Sequence, residues 1–339
     1  MADVVENATF PESEVERARK LALDDLSQEE NNPDALAERI APMLAFGPDH
    51  PYGRPEHGLA ATVRAITRDD LASFHSTYWK PGGSALVFAG DVTLEQAMDL
   101  ARAAFGGWAG GAPPATAIPE PRPVGPGKVY LVDRQDAAQT VIAEILPGPK
   151  RKVDDYYAFR LADAVWGGAF QSRLNLNLRE EKHYSYGVFS FPLVFTAAGG
   201  WMASGGVQTD KTAEAVAEFA KELRALAGAR PIADEELAAA RANRVRGYAQ
   251  RFESVGRVAE RVAALWSFGL PMTELQRESD ETGKATLAAV NAAAQKYAVP
   301  ERSTLLLVGD RARIEEGVRK LDLGEIVPLG VEGEPVASN

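Results

Sequence analysis

The stretch YWKPGGSALVFAGD at residues 78–91 returns as YAVPERSTLLLVGD at residues 297–310, with Tyr, Pro, Gly and Asp all matching at an offset of 219. The segments just before them align at the same offset: TRDDLASFHSTY from Thr67 and TLAAVNAAAQKY from Thr286 each open on a threonine placed to cap a short helix. A further pair, AERIA at 37–41 and AERVA at 259–263, is spaced by 222. Self-similarity of this kind reads as two copies of one fold in a single chain.

Working outward, the stretch GGAPPATAIPEPRPVGPGK at 110–128 carries too many prolines and glycines for a regular element and reads as a semi-rigid linker. The expected organisation is therefore residues 1–109 as part of a first unit, 110–127 as linker and 128–339 as a complete second unit. In the second unit, strand-like stretches at 128–133, 140–146, 184–191 and 200–208 alternate with helical ones at 154–166, 171–181 and 211–227, and a long helix follows from Asp234. Before Tyr78 the first copy offers only helices, at 11–30 and 33–46, and then the turn-rich HPYGRPEHG. Its sheet is mostly missing. At the repeat offset the counterpart of Gly127 falls about ninety residues before Met1, so the first unit is expected to be truncated at its front. A truncated unit exposes apolar surface, which makes a homodimer through the first unit an expected consequence.

Composition narrows the function. With 45% hydrophobic and 25% charged residues the chain has a core to bury, and at 339 residues a single core normally splits in two. The net charge of -11 repels phosphate backbones and argues against a nucleic-acid partner. The absence of cysteine removes disulfides, thiolate nucleophiles and cysteine-bound zinc, and leaves the compartment open. No window approaches eighteen apolar residues, so no membrane span is expected.

Four histidines are present, and none stands in H-x-x-E-H or H-E-x-x-H. His50 and His57 are separated by Pro51, Gly53 and Pro55 and read as loop residues; His75 reads as a helix-surface side chain. The acidic pairs Asp24–Asp25 and Glu29–Glu30 are most simply a solvated helix face, although a pair of carboxylates is chemically able to act as acid and base. The glycine-rich stretches lack the strand-to-helix setting and lysine of a phosphate cradle. No metal ligand or catalytic triad is assigned to this chain.

One stretch stands out, LADAVWGGAFQSRLNLNLREEKHYSYGVFSF at 161–191. Arg179 ends a short helix and Tyr186 begins a strand seven residues later, so a tight turn brings both toward one cleft. A guanidinium and a phenol both donate directed hydrogen bonds and suit a peptide carbonyl or carboxylate. The bland alternative is Arg179 paired with Glu180 or Glu181 and Tyr186 packed at a sheet edge.

The segment SRLNLNLREEKHYSYGV resembles the arginine–tyrosine motif of the M16 peptidases, the insulinase and pitrilysin group that includes the mitochondrial processing peptidases. FPESEVERAR from Phe10, HPYGRPEHG from His50, ITRDDLASFHSTYWKPGGSALVFAGD from Ile66, FGGW from Phe105 and ASGGVQTDKTAEAV from Ala203 agree in order. The resemblance implies an α+β fold of repeated M16-type (LuxS/MPP-like) units, each a mostly antiparallel sheet with helices packed on one side. Two such units make half of a chamber that encloses unfolded peptides. In active halves H-x-x-E-H and a downstream Glu hold zinc. Here Asp24 or Asp25 falls near the place of that Glu, and the two histidines have no counterpart.

By the resemblance, this chain is a zinc-less part of a metalloendopeptidase. It has no catalytic residue of its own and no cofactor; zinc is expected on a partner half that carries H-x-x-E-H. Arg179 and Tyr186 would bind substrate main chain and assist the transition state there. Many relatives have Gly where this chain has His183. The alternative is a scaffold relative with no proteolytic role; an autonomous hydrolase using Asp24, Asp25 or His183 ranks third. The likeness to bacterial tandem proteins points to the periplasm, on which the residues themselves are silent.

Overall fold

A computed structural model describes residues 1–336 and divides the chain into two compact units that interleave in sequence. Residues 1–26, 57–117 and 247–277 form the first; residues 27–56, 118–246 and the stretch from 278 onward form the second. Residues 337–339, the end of the expected second domain, lie outside the described residues.

The second unit is built on one six-stranded sheet: β1 (Val129–Asp133), β2 (Gln139–Pro147), β3 (Phe189–Val194), β4 (Gly199–Gln208), β5 (Thr304–Gly309) and β6 (Ile326–Leu329). Their order is β3-β4-β2-β5-β1-β6. The pairs β3/β4, β4/β2 and β2/β5 are antiparallel, whereas β5/β1 and β1/β6 are parallel. The sheet is thus mixed with an antiparallel majority. Although β1 and β2 are consecutive in the chain, β5 is inserted between them, with Leu305 beside Val129 and Val308 beside Val141.

Insertion at the centre explains the composition of β5. Its residues are buried throughout, as are those of β2 from Thr140 to Leu146, so both faces of the sheet must be covered and the apolar runs are continuous rather than alternating. On one face Ile142, Leu146, Leu305 and Leu307 pack among the helices Tyr156–Trp166, Thr212–Arg224, Leu287–Tyr297 and Arg311–Arg319. Trp166 and Trp201 meet edge-on there, with ring centroids 4.5 Å apart. On the opposite face Val141, Ala143, Ile145, Leu306 and Val308 pack against Leu36, Ala37, Ile40, Ala41 and Leu44.

These last five form one stripe on the helix Pro33–Phe46, whose start is fixed by Pro33 and by the Asn32 Oδ1, which accepts from the Asp34 and Ala35 amides. Helices on one side of the sheet, as the sequence predicts, therefore describe the elements after residue 150. The 33–46 helix, expected within residues 1–109, instead supplies the second unit's other cover.

The repeat is visible in the bounds themselves. Thr286 caps Leu287–Tyr297 and a 3-10 turn follows at Pro300–Arg302; Thr67 caps Arg68–Tyr78 and a 3-10 turn follows at Pro81–Gly83. Each boundary differs by the same 219. The exchange of the covering helix is also reciprocal: 27–56 sits in the second unit, while AERVA, on the helix Val255–Ser267, sits in the first. The first unit is helical and has no strand among the described residues.

Among the buried ionisable groups, Glu144 has its carboxyl pushed close to neutral pH. Glu144 lies in the middle of β2 between Ile142 and Leu146, and its Oε2 has no hydrogen-bond partner among the described residues. Burial pushes its carboxyl up from 4.5 to about 7, against the opposing pulls of the Ser303 hydroxyl and the Arg224 charge. Because the folded form holds this proton more tightly than the unfolded chain, the contribution is fully present below pH 4.5 and lost as pH rises through about 7. The expected loss from this group is on the order of 3 kcal/mol. Urea unfolding at a series of pH values should show that Glu144→Gln flattens this slope and is more stable than the parent above pH 7; identical slopes would refute the assignment.

Candidate functional site

The site lies in the second unit, where the chain makes an excursion between the helix Tyr156–Trp166 and β3. It runs through a short helix at Arg173–Asn175 and a π-helical turn at Leu176–Glu181, an irregularity that is frequent at functional sites. Arg173 anchors its start: the guanidinium binds Glu236 through two contacts of 2.7 Å and donates to the Arg230 and Pro231 carbonyls. Asn175, fully buried, then staples the two ends. Its Nδ2 donates to the Phe170 carbonyl at 2.7 Å, and its Oδ1 accepts from the Val188 amide at 3.2 Å.

Between the staples the chain turns sharply at His183, whose φ of 58° is left-handed. Glycine takes this conformation at no steric cost, which accounts for the glycine that the family resemblance leads one to expect here. The imidazole compensates locally: its Nδ1 is 3.0 Å from the Arg179 carbonyl, and since a carbonyl only accepts, Nδ1 carries the proton. Gln208 holds the other side, donating from Nε2 to the His183 carbonyl at 2.9 Å.

Beyond His183, Ser185 makes an isolated bridge to Val207, and its hydroxyl lies 2.7 Å from the Gly206 carbonyl while accepting from the Gly187 amide at 3.0 Å. Such side-chain bonds replace a strand ladder, so the strand expected over 184–191 begins only at Phe189. The glycines of ASGGVQTD serve this approach: a Cβ on Gly205 would stand 2.6 Å from the Gly187 carbonyl oxygen. Tyr186 is thereby held at the apex of a braced loop with 88% of its surface exposed.

Arg179 and Tyr186 line one open depression of about 340 Å³ together with Gln139, Glu180, His183 and Gln208. The Arg179 guanidinium lies 4.6 Å over the Phe170 ring, and its Nε is 3.2 Å from Glu180 Oε1. The bland alternative thus describes Arg179, which has the carboxylate partner it invokes. It does not describe Tyr186, whose ring is solvated rather than packed at a sheet edge. Asn175, Ser185, Gln139 and Gln208 were not singled out by the sequence reading; only the Ser-x-Gly order at 185–187 signals a side-chain-closed turn. A larger depression of about 530 Å³ elsewhere in this unit is charged, but its Arg173 and Arg230 are bonded to Glu236 and Glu222.

The remaining sequence candidates are dispersed. His50 uses both ring nitrogens, Nε2 toward the Pro119 carbonyl at 2.9 Å and Nδ1 accepting from the Tyr52 amide at 3.1 Å. His75 Nε2 is 2.8 Å from the Val5 carbonyl. Asp24 and Asp25 are exposed. Among the described residues no group of three or more His, Asp or Glu side chains could hold a metal ion. The donor set therefore does not fit a zinc centre, and no step through zinc is assigned to this chain. No helix among the described residues is long and apolar enough to cross a membrane.

Residues 65–244, just over half of the chain, match the family model described as the peptidase M16 inactive domain. The chain is 33% identical over 202 residues to an uncharacterized zinc protease of Mycobacterium tuberculosis, covering 59% of this chain and 45% of that protein. It is 28% identical over 233 residues to one of Mycobacterium leprae, covering 67% and 51%. The matches thus span about half the length of these relatives. Among solved structures, the peptidase M16 inactive domain from Pseudomonas fluorescens superposes with a TM-score of 0.83 at 23% identity, over 91% of this chain and 73% of that one. A chain of Complex III2 from Candida albicans superposes with a TM-score of 0.76 at 14% identity, over 95% and 77%. At these identities the structural likeness speaks for the fold.

The staple makes a direct demand on stability. Asn175→Ala leaves the Val188 amide and the Phe170 carbonyl without their partner and should cost about 1–3 kcal/mol, whereas Tyr186→Ala, at a solvated position, should stay within about 0.5 kcal/mol of the parent. Urea unfolding of both variants measures this; an Asn175→Ala protein as stable as the parent would show that the staple carries no load.

Proposed function

The chain belongs to the peptidase M16 family, by its inactive domain, and from that membership and the exposed Arg179–Tyr186 depression we propose that it is the non-catalytic, zinc-less part of an M16-type metalloendopeptidase. In this reading the chain forms half of a peptide-degrading chamber. The zinc and the general base reside on a partner half that carries H-x-x-E-H.

The observation that carries the reading is Tyr186. A tyrosine with 88% of its surface in solvent contributes little to packing, yet three hydrogen-bonded side chains, Asn175, Ser185 and Gln208, are spent on bracing the loop that presents it. Bracing of this kind lowers the cost of ordering a binding group at the moment of contact.

The chemistry follows from the two side chains. Arg179 offers several N–H groups in one plane, so it can hold a peptide carbonyl while the Phe170 face supports the guanidinium. The Tyr186 hydroxyl donates one hydrogen bond, suited to an oxygen that gains negative charge as the carbonyl carbon becomes tetrahedral. Unfolded peptide is the substrate class, since a main-chain grip requires an accessible backbone.

A second reading, a scaffold relative with no proteolytic role, draws on the contact between Arg179 and Glu180, which already occupies part of the guanidinium. Reconstitution with an H-x-x-E-H-bearing M16 half, assayed on an unstructured peptide, separates the two. Arg179→Ala and Tyr186→Phe should each lower kcat/KM between tenfold and a thousandfold, about 1.4 to 4 kcal/mol of transition-state stabilisation. Cleavage unchanged by both substitutions would favour the scaffold.

A further inference from the structure

The helix Thr212–Arg224 carries Val216, Phe219, Ala220, Leu223 and Arg224 at the i, i+3, i+4, i+7 and i+8 spacing of a face turned to a core. The first four are apolar and the fifth is a charge. Strand β2 carries a matching exception, for Glu144 stands between the core residues Ile142 and Leu146. A carboxyl and a guanidinium are thus placed on two elements of one core, yet they are not joined. Oε2 of Glu144 is buried with no hydrogen-bond partner among the described residues, and Arg224 acts on the carboxyl through its charge alone.

Both residues line a cavity of about 100 Å³ whose apolar walls include Val216, Phe219, Leu223 and Leu305. Space of this size holds about five non-hydrogen atoms, by comparison with the roughly 150 Å³ cavity that admits benzene. Arg224 also lines the open depression of about 530 Å³ beside Arg173 and Glu222, and it is the one residue that the two spaces share. It therefore stands at the passage from solvent to Glu144. An unpaired carboxyl oxygen in such a place is costly unless something donates to it.

The two ends restrict the occupant. Glu144 asks for a donor and Arg224 for an acceptor. A carboxylate lacks the donor. An ammonium lacks the acceptor, meets the arginine's charge, and finds no fixed anion in a carboxyl that titrates at about 7. A primary carboxamide supplies both functions on separate atoms of one plane: its nitrogen donates to the ionised carboxyl, or its oxygen accepts from the protonated one. We propose that this cavity is a binding site for a free, uncharged, short-chain aliphatic carboxamide, its amide bridging Glu144 and Arg224 and its alkyl end packed against Phe219 and Leu305.

The cavity shares no lining residue with the Arg179–Tyr186 depression. The inference therefore stands or falls independently of the peptidase reading. Selectivity is its signature, because a site built to hydrogen-bond an N–H rejects an isosteric molecule that lacks it, whereas an apolar void accepts both.

The test uses the full chain and three probes of one shape, propionamide, propionate and butanone, which carry an amino group, an anionic oxygen and a methyl group on the same propionyl frame. Titration followed by NMR should give saturable shifts at Phe219, Leu223 and Leu305 with propionamide, and roughly tenfold or more weaker binding of the other two. Glu144→Leu and Arg224→Met should each weaken propionamide binding by a similar factor; Arg224 is exposed, so its variant keeps the test decisive should Glu144→Leu not fold. N-acetylglutamine methylamide, the same group on a peptide main chain, should leave these signals unmoved, since the cavity has no room for a backbone. Equal affinity for the three probes, a spectrum that propionamide leaves unchanged because the cavity holds water only, entry of the peptide-borne amide, or binding indifferent to Arg224→Met would each overturn the proposal.

Discussion

The constraint on which this structure depends is that β5 is buried on both faces and both edges. A strand of consecutive leucines cannot present one side to water, so the sheet of the second unit requires two helical covers. One cover follows locally, from helices that succeed the strands. The other is taken from the far side of the chain, the helix Pro33–Phe46, whose single stripe of Leu36, Ile40 and Leu44 matches Ala143, Leu306 and Val308. The interleaving of the two units in sequence is the topological result.

The candidate site inherits its rigidity from that sheet. β4 is the strand that Ser185 bridges and from which Gln208 reaches His183, and the glycine at 205 lets the 187–188 segment lie against it. Arg179 and Tyr186 come from opposite ends of this loop and meet one depression because Asn175 joins its two ends. The left-handed turn at His183 carries a conformational strain that the imidazole bond to the Arg179 carbonyl offsets, so the same contact that relieves the turn also orients the backbone beneath the guanidinium.

Much of this was legible in the residues. The repeat at 78–91 and 297–310 marked two copies, and the caps and turns of the structure recur at the same offset in the chain. The strands β1, β2 and β4 fell within a residue or two of their apolar runs, because a buried run with turn residues at its ends leaves few alternatives. The start of β3 was misplaced, since aromatic residues at 184–186 carry strand propensity while the bonds of the Ser185 hydroxyl are invisible in a propensity. The partner of the 33–46 helix was also illegible: an apolar stripe announces that it will be buried, and nothing local says against which sheet. The bracing side chains of the site went unseen for a related reason, since Asn175 and Gln208 matter through long-range bonds to Val188 and His183.

The placement of β5 between β1 and β2 bears on how the molecule is made. Those two strands leave the ribosome more than a hundred and fifty residues before the strand that separates them, and during that interval the slot between them is open. Closing the sheet is therefore a long-range and intrinsically slow step that leaves the nascent chain dependent on whatever shields its apolar centre until residues 304–309 arrive.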